Sequence, residues 1–223
     1  MRYRIVDNCT ATTYQRMLER GWRRFGTLFF RPGCLACEEC RSLRVDVERF
    51  RPNRSMRRVW RRNHDLLVVA RTPPSMTKDH LDLYDRYHAD MSRRKDWSEK
   101  ASEPFDYYLT FVHGHQEFGH EFLYFLEKRL VCVALVDVLP GAVSAVYAYY
   151  DPGLRSRSLG VLSILRQIAF ARERGLAHLY LGYWVAGCGS MRYKANYGPH
   201  EILSGRPASS ERPEWASPPL SPC

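Results

Sequence analysis

The chain has 223 residues, 45% of them hydrophobic and 13% aromatic, enough to bury a substantial core and too many for a disordered chain. The apolar run at residues 130–139 is broken by Asp137 and too short to span a bilayer, and residues 1–7 lack an apolar signal region. A cytoplasmic protein with no membrane partner is expected. The formal net charge of +10 is unevenly placed, because residues 1–71 hold 17 arginines and no lysine against seven acids, while the remainder balances. That asymmetry points to a polyanion or an acidic ligand for the N-terminal third.

In chain order, residues 11–24 predict a short helix with Tyr14, Met17 and Leu18 on one face, ended by Gly21. Residues 27–31 predict a strand, and the alternation at residues 43–47 predicts another. Arg54, Arg57, Arg58, Arg61 and Arg62 recur at helical spacing after Pro52 and Asn53, beside an apolar stripe of Met56, Val59 and Trp60. Residues 66–70 read as a strand, and Thr72-Pro73-Pro74-Ser75 as a boundary. A helix over residues 76–91 turns Leu81, Tyr84 and Tyr87 inward. A polar loop at 93–104 and a helix at 105–111 follow. His113, His115 and His120 come next without metal-helix spacing, and read as solvated loop histidines.

The second half reads as strand-rich. Residues 122–127, 129–138 and 144–150 predict three strands joined by hairpin turns. A basic turn, a helix with Val161, Ile164, Leu165 and Ile168 on one face, and a strand at 176–183 complete it. The tail from Ser204 is rich in Pro and Ser and predicts a loose segment. This divides the chain into a basic, Cys-containing subdomain (1–71), a catalytic domain (72–203) and a flexible tail (204–223).

Seven cysteines is an odd number, and without an export signal they do not suggest a disulfide framework. Cys34, Cys37 and Cys40 are spaced C-x-x-C-x-x-C after Pro32-Gly33, as zinc knuckles and iron–sulfur loops require. Cys9 is the only other N-terminal cysteine and the candidate fourth ligand. The alternative is a reduced, redox-sensitive loop with no metal.

Three antiparallel strands, a glycine-containing basic turn, a helix and a further strand are the order of N-acetyltransferase-type acyltransferases. The expected class is therefore α/β (α+β): a mixed sheet with flanking helices and a small N-terminal subdomain. In that arrangement the turn and helix N-terminus hold a phosphate of the donor, and Arg155, Arg157, Ser158 and Gly160 suit such a cradle.

More specific matches run in order along the chain. They include Cys34-Leu-Ala-Cys37-Glu-Glu-Cys40-Arg-Ser-Leu-Arg-Val, Phe50-Arg-Pro-Asn-Arg-Ser-Met-Arg-Arg58 and Asp137-Val-Leu-Pro. Further on stand Tyr150-Asp-Pro, Arg157-Ser-Leu-Gly160, Tyr180-Leu-Gly-Tyr-Trp-Val-Ala-Gly-Cys188, Met191-Arg-Tyr-Lys194 and Pro199-His-Glu201. Together these resemble the aminoacyl-tRNA–protein transferases over residues 14–201. The resemblance implies an N-acetyltransferase-like fold, an aminoacyl-tRNA donor and protein acceptors beginning with Asp or Glu. Its bacterial form implies leucyl transfer, and the larger eukaryotic relatives imply arginyl transfer. In the bacterial relatives a cysteine of its own precedes the matching part, whereas Cys9 stands in a different context, so the fourth ligand stays open.

The residue chemistry agrees with such a reaction. An aminoacyl ester is already activated, so transfer needs no cofactor, and no ATP motif is present. Asp137 interrupts an apolar strand, where a carboxylate is costly unless paired or used. It either handles the acceptor's ammonium proton or caps the following turn. Tyr183 and Lys194 are placed to meet the terminal adenosine or the oxyanion, or simply to pack. Arg54, Arg57 and Arg58 are candidates for tRNA phosphates, and Arg41, Arg44 and Trp184 for the acceptor. A CoA-dependent N-acyltransferase and a non-catalytic RNA-binding module are the competing readings. The first has no evident use for the arginine helix or the cysteine loop.

Overall fold

Gly21 decides where the first helix stops. Its φ of +81° is readily reached only without a Cβ. In this computed structural model, which describes residues 1–95, 103–114 and 117–218, β1 (Arg2–Ile5) precedes α1 (Ala11–Leu18). The Thr10 side chain caps α1 by accepting from the Thr13 N–H. The predicted helix at 11–24 is thus shorter than expected. Residues after Gly21 instead form β2 (Arg23–Phe25), paired with β3 (Leu28–Arg31) across Gly26. With β1 on the other side of β3, they make a three-stranded sheet.

The main sheet begins with β4 (Arg41–Asp46). Then come α2 (Arg54–Arg62), capped by Asn53, and β5 (Leu67–Arg71). Next, α3 (Lys78–Lys95) runs past its predicted end at residue 91, and α4 (Pro104–Tyr107) passes into a π turn at Tyr108–Val112. His115 and residues 96–102 of the predicted polar loop lie outside the described residues. The long strands β6 (Gly119–Leu126), β7 (Arg129–Leu139) and β8 (Ala142–Tyr150) follow as expected. Glu127 and Lys128 both adopt positive φ at the first hairpin, the geometry of a tight turn matching strand twist. His120 lies on β6 rather than in the loop assigned to it.

A 3₁₀ turn at Pro152–Arg157 leads into α5 (Leu159–Glu173), then β9 (His178–Trp184). Another 3₁₀ turn at Arg192–Asn196 precedes β10 (His200–Leu203) and β11 (Trp215–Ala216). The eight strands order as β11-β10-β4-β9-β8-β7-β6-β5, with β8 and β9 as the parallel pair. This is the expected mixed sheet with flanking helices. Strands on both sides of residue 71 share it, since β4 and β5 bond to β9 and β6.

One face of the sheet packs under α5 and α2 around Leu162, Ile168, Val131 and Met56. The other is covered by α3 and the π turn, through Leu83, Tyr107, Phe111 and Tyr149. The tail, expected to be loose, is tied down over its described part. β11 pairs with β10, Trp215 packs edge-on to Tyr180 at 5.4 Å, and Arg31 donates to the Pro207 carbonyl at 2.9 Å. Composition does not show this, because one aromatic contact, a short strand pairing and a hydrogen bond from Arg31 suffice to hold a Pro- and Ser-rich segment.

Candidate active site

The parallel pair β8 and β9 bonds over only three residues, from Ala142 opposite His178 to Ser144 opposite Tyr180. Both strands continue well beyond, so past Ser144 they part and leave unpaired backbone. Arg23, projecting from β2, fills this opening. It donates to the Ser144 hydroxyl at 3.0 Å and to the Ala145 carbonyl on β8. On the β9 side it faces Gly182, whose φ of +80° coincides with a bulge against β4. Arg23 is only 8% exposed, so its charge is held in a poorly solvated place.

Tyr183 fastens the small sheet to β9, its hydroxyl sharing one proton between the carbonyls of Gly21 and Phe30 at 2.9 and 3.0 Å. Lys194, on the 3₁₀ turn after β9, donates to the Tyr183 carbonyl at 2.6 Å. Burial, reinforced by the charge of Arg23, brings the Lys194 ammonium down to about 8. Neighbouring Cys188 is a half-buried thiol lowered from its ordinary value, chiefly by a hydrogen bond to Ser190. Tyr14 lies 3.4 Å from the Ser144 hydroxyl, and burial pushes its phenol up to about 12, leaving it a neutral hydroxyl.

Asp137 sits beneath this group and is fully buried within β7, not capping a turn. Both its oxygens face Arg24, Nε donating at 3.1 Å and Nη2 to the other oxygen. Arg24 also donates to the carbonyls of Gly26 and Gly114. This geometry makes Asp137 the counterion that lets Arg24 be buried, rather than a proton acceptor facing substrate.

Sequence reasoning named Tyr183 and Lys194, which the fold brings together, but missed Arg23 and Arg24. The available signal was a pair of arginines between Trp22 and Phe25, charges inside an otherwise apolar strand. Trp184 follows Tyr183, and its indole N–H is buried with no acceptor among the described residues. Arg41 lies exposed with its guanidinium 5.7 Å from that ring. Arg44, expected to bind the acceptor, is instead neutralised. It donates to Glu201 at 2.7 Å and to the Tyr180 hydroxyl, and lies 4.3 Å from the Trp215 ring.

The expected phosphate cradle is altered as well. Arg157 forms a bidentate pair with Asp65 at 2.8 and 2.9 Å, and Arg155 pairs with Asp90 on α3. What remains is the α5 N-terminus itself. Ser158 (φ +55°) makes no side-chain cap, no acid lies in the first turn, and Gly160 keeps the Tyr150 ring within 3.3 Å of where a Cβ would stand. The first N–H groups of a helix lie outside its own hydrogen-bond ladder and carry the positive end of its dipole. Arg54 and Arg58 are exposed on α2, whose C-terminal end touches this region through Arg62 to Ser156 and Asn63 to Arg157.

Cys34, Cys37 and Cys40 lie exposed on their loop, where Arg206 donates to the carbonyls of Cys34 and Cys37. Cys9 is elsewhere, buried with Tyr14, Leu18 and Trp22 near Arg24 and Asp137. Among the described residues no three His, Cys, Asp or Glu side chains converge on a metal-sized point.

Two family models cover most of the chain. The N-terminal model of the arginine-tRNA-protein transferases matches residues 2–58, and the C-terminal model matches residues 79–204. The chain belongs to this family. It is accordingly an aminoacyltransferase. An aspartate/glutamate leucyltransferase of Campylobacter jejuni is 42% identical over 203 residues, covering 91% of this chain and 84% of that protein. Its namesake in Helicobacter hepaticus is 41% identical over 214 residues, covering 96% and 88%. That of Halorhodospira halophila is 44% identical over 193 residues, covering 86% and 81%. The N-terminal model includes the cleft residue Arg23 of the transferase, and the C-terminal model includes Lys194. Among the described residues no helix is long and apolar enough to cross a membrane.

Proposed function

We propose that the protein transfers leucine from leucyl-tRNA to the α-amino group of proteins beginning with Asp or Glu. What carries the reading is 42% identity, over 91% of the chain, to a relative bearing that name. The cleft between β8 and β9 is where the reaction takes place, with the tRNA end reaching it past the α5 N-terminus. The acceptor nitrogen bonds to the ester carbonyl carbon, the carbonyl oxygen becomes an oxyanion, and the ester C–O bond then breaks. The acceptor's ammonium loses two protons in becoming an amide: one to solvent before the neutral amine attacks, and one that passes to the leaving ribose oxygen.

Lys194 suits the handling of that proton, because a group titrating near 8 exchanges readily at neutral pH. Arg23 holds fixed positive charge where the oxyanion forms, in a place where water screens it little. Asp137 acts through Arg24 as a positioning residue. Arg41 and the Trp184 indole N–H are the groups left to meet an acceptor carboxylate. Arg54 and Arg58 meet tRNA phosphates. The ester is already activated, so the residues need no cofactor.

The family models bear the name of arginine transfer, which favours arginyl-tRNA as the second reading. Both are tested by offering labelled leucyl-tRNA or arginyl-tRNA with peptides beginning with Asp, Glu, Lys or Ala. Leucine on Asp and Glu peptides alone is expected. Arginine on the same peptides would replace the donor, and label from neither would overturn the reading.

A further inference from the structure

A groove of about 400 Å³ runs between α2 and α5, remote in its chemistry from the cleft. Its floor is Met56, Leu165 and Ile168, with Ala169 half-buried and Trp60 37% exposed at the edge. Arg57, Arg61 and Arg172 stand around it, and no acidic side chain lines it. Arg172 is anchored to the carbonyls of Val47 and Phe50 at 2.6 and 2.9 Å. Neither Arg57 nor Arg61 pairs with a carboxylate among the described residues. The five-arginine stripe of α2 is therefore split, with Arg57 and Arg61 beside the groove and Arg62 turned to Ser156 on the other flank.

We propose that this groove docks an acidic amphipathic helix of a partner protein. The two wall helices run antiparallel, because the end of α2 meets the start of α5 while Arg172, late in α5, reaches back to Phe50 ahead of α2. Such a pair offers a trough for a third helix that lays apolar residues of neighbouring turns along it. The volume falls within the range of ligand pockets, about 300–1,000 Å³. The cationic rim then asks for carboxylates flanking those apolar residues, which selects an acidic partner over a neutral one.

A nucleobase fits less well. Its donor edges would meet a floor of Met56, Leu165 and Ile168 and a rim of arginines, none of which accepts a hydrogen bond, leaving buried polar groups unpaired. One face of Trp60 is covered by the Arg166 guanidinium at 4.1 Å, so a base could not be sandwiched there and would have a single face to stack on. Arg54 and Arg58 remain for phosphates, so docking here leaves the tRNA path available.

The test uses the full chain and a fluorescein-labelled helical peptide with leucines spaced i, i+4 and glutamates on both flanks. Anisotropy should report saturable binding, weakened at least about tenfold by Ala169→Glu and by Trp60→Ala. A sequence-scrambled peptide should bind at least as poorly. Circular dichroism and Tm confirm that each variant folds. Aminoacyl-tRNA affinity and aminoacyl transfer should stay within about twofold in both variants. Absence of peptide binding, or equal binding by both variants, would overturn the proposal. So would loss of tRNA affinity in both variants together with displacement of the peptide by an RNA oligonucleotide, which would make the groove a nucleic-acid site.

Discussion

Lys194 carries the clearest consequence of a single residue. Folding lowers its ammonium from an ordinary value of 10.5 to about 8 by removing water and placing Arg23 nearby. The unfolded chain therefore binds more protons than the folded one between about pH 8 and 10.5, and stability gains from this group as pH rises through that window. Lys194→Met should be relatively more stable than the parent at pH 7, by about 1–3 kcal/mol, with the difference shrinking toward pH 10. Its transfer rate should fall at least about a hundredfold, and Lys194→Arg, which cannot deprotonate, should not restore it. Urea unfolding at several pH values and single-turnover transfer check the two halves. A variant losing stability but not rate would leave Lys194 a packing residue. Residues of this kind were partly legible. Tyr183 and Lys194 stood out as polar groups after the last core strand, whereas Arg23 fell within the helix predicted over residues 11–24 and gained a place only with the divergence of β8 and β9.

At the scale of elements, the long hairpins β6–β7–β8 and the helices α2 and α5 were visible because apolar residues repeat at strand or helix spacing over many positions. β1 was not, since all four of its residues are exposed and it exists only by pairing with β3. β11 is two residues long and escapes any periodic pattern. The β9 bulge has a sharper consequence. Gly182 holds φ near +80°, and an added Cβ would lie 3.6 Å from the Arg23 guanidinium. Gly182→Ala should cost about 1–2 kcal/mol of backbone strain. It should also slow transfer by moving β9 against Arg23, and leave aminoacyl-tRNA affinity unchanged. Equal rates in parent and variant would detach the bulge from the chemistry. The tail offers a contrasting case. Trp215 covers Tyr180 and Arg44 and donates its indole N–H to the Glu19 carbonyl at 3.2 Å. Trp215→Ala should lower unfolding free energy by about 2 kcal/mol in urea titration, even though it lies in a segment whose composition reads as loose.

Over the whole molecule, the uneven charge of the sequence resolves into several distinct uses. Part of the N-terminal excess is internal: Arg24 is paired with Asp137, Arg44 with Glu201, and Arg31 is lodged against the tail. In the opposite direction, the N-terminal acid Asp65 takes Arg157 from the rest of the chain. The excess counted over residues 1–71 thus overstates what that third alone offers a polyanion, because Asp137 and Glu201 come from the rest of the chain. Of the five arginines on α2, Arg54 and Arg58 are exposed and do not line the groove beside α5, which leaves them for a phosphate backbone. Aminoacyl-tRNA affinity should therefore fall linearly on a log–log plot as salt rises from about 50 to about 300 mM. Changing both Arg54 and Arg58 to Ala should reduce the magnitude of that slope by about two, one released counterion for each lost phosphate contact. The same change should leave the single-turnover rate at saturating tRNA unaltered, because neither guanidinium reaches the ester. Filter binding across the salt series measures the slope. An unchanged slope would return both arginines to solvent and assign the electrostatic contact to the helix terminus.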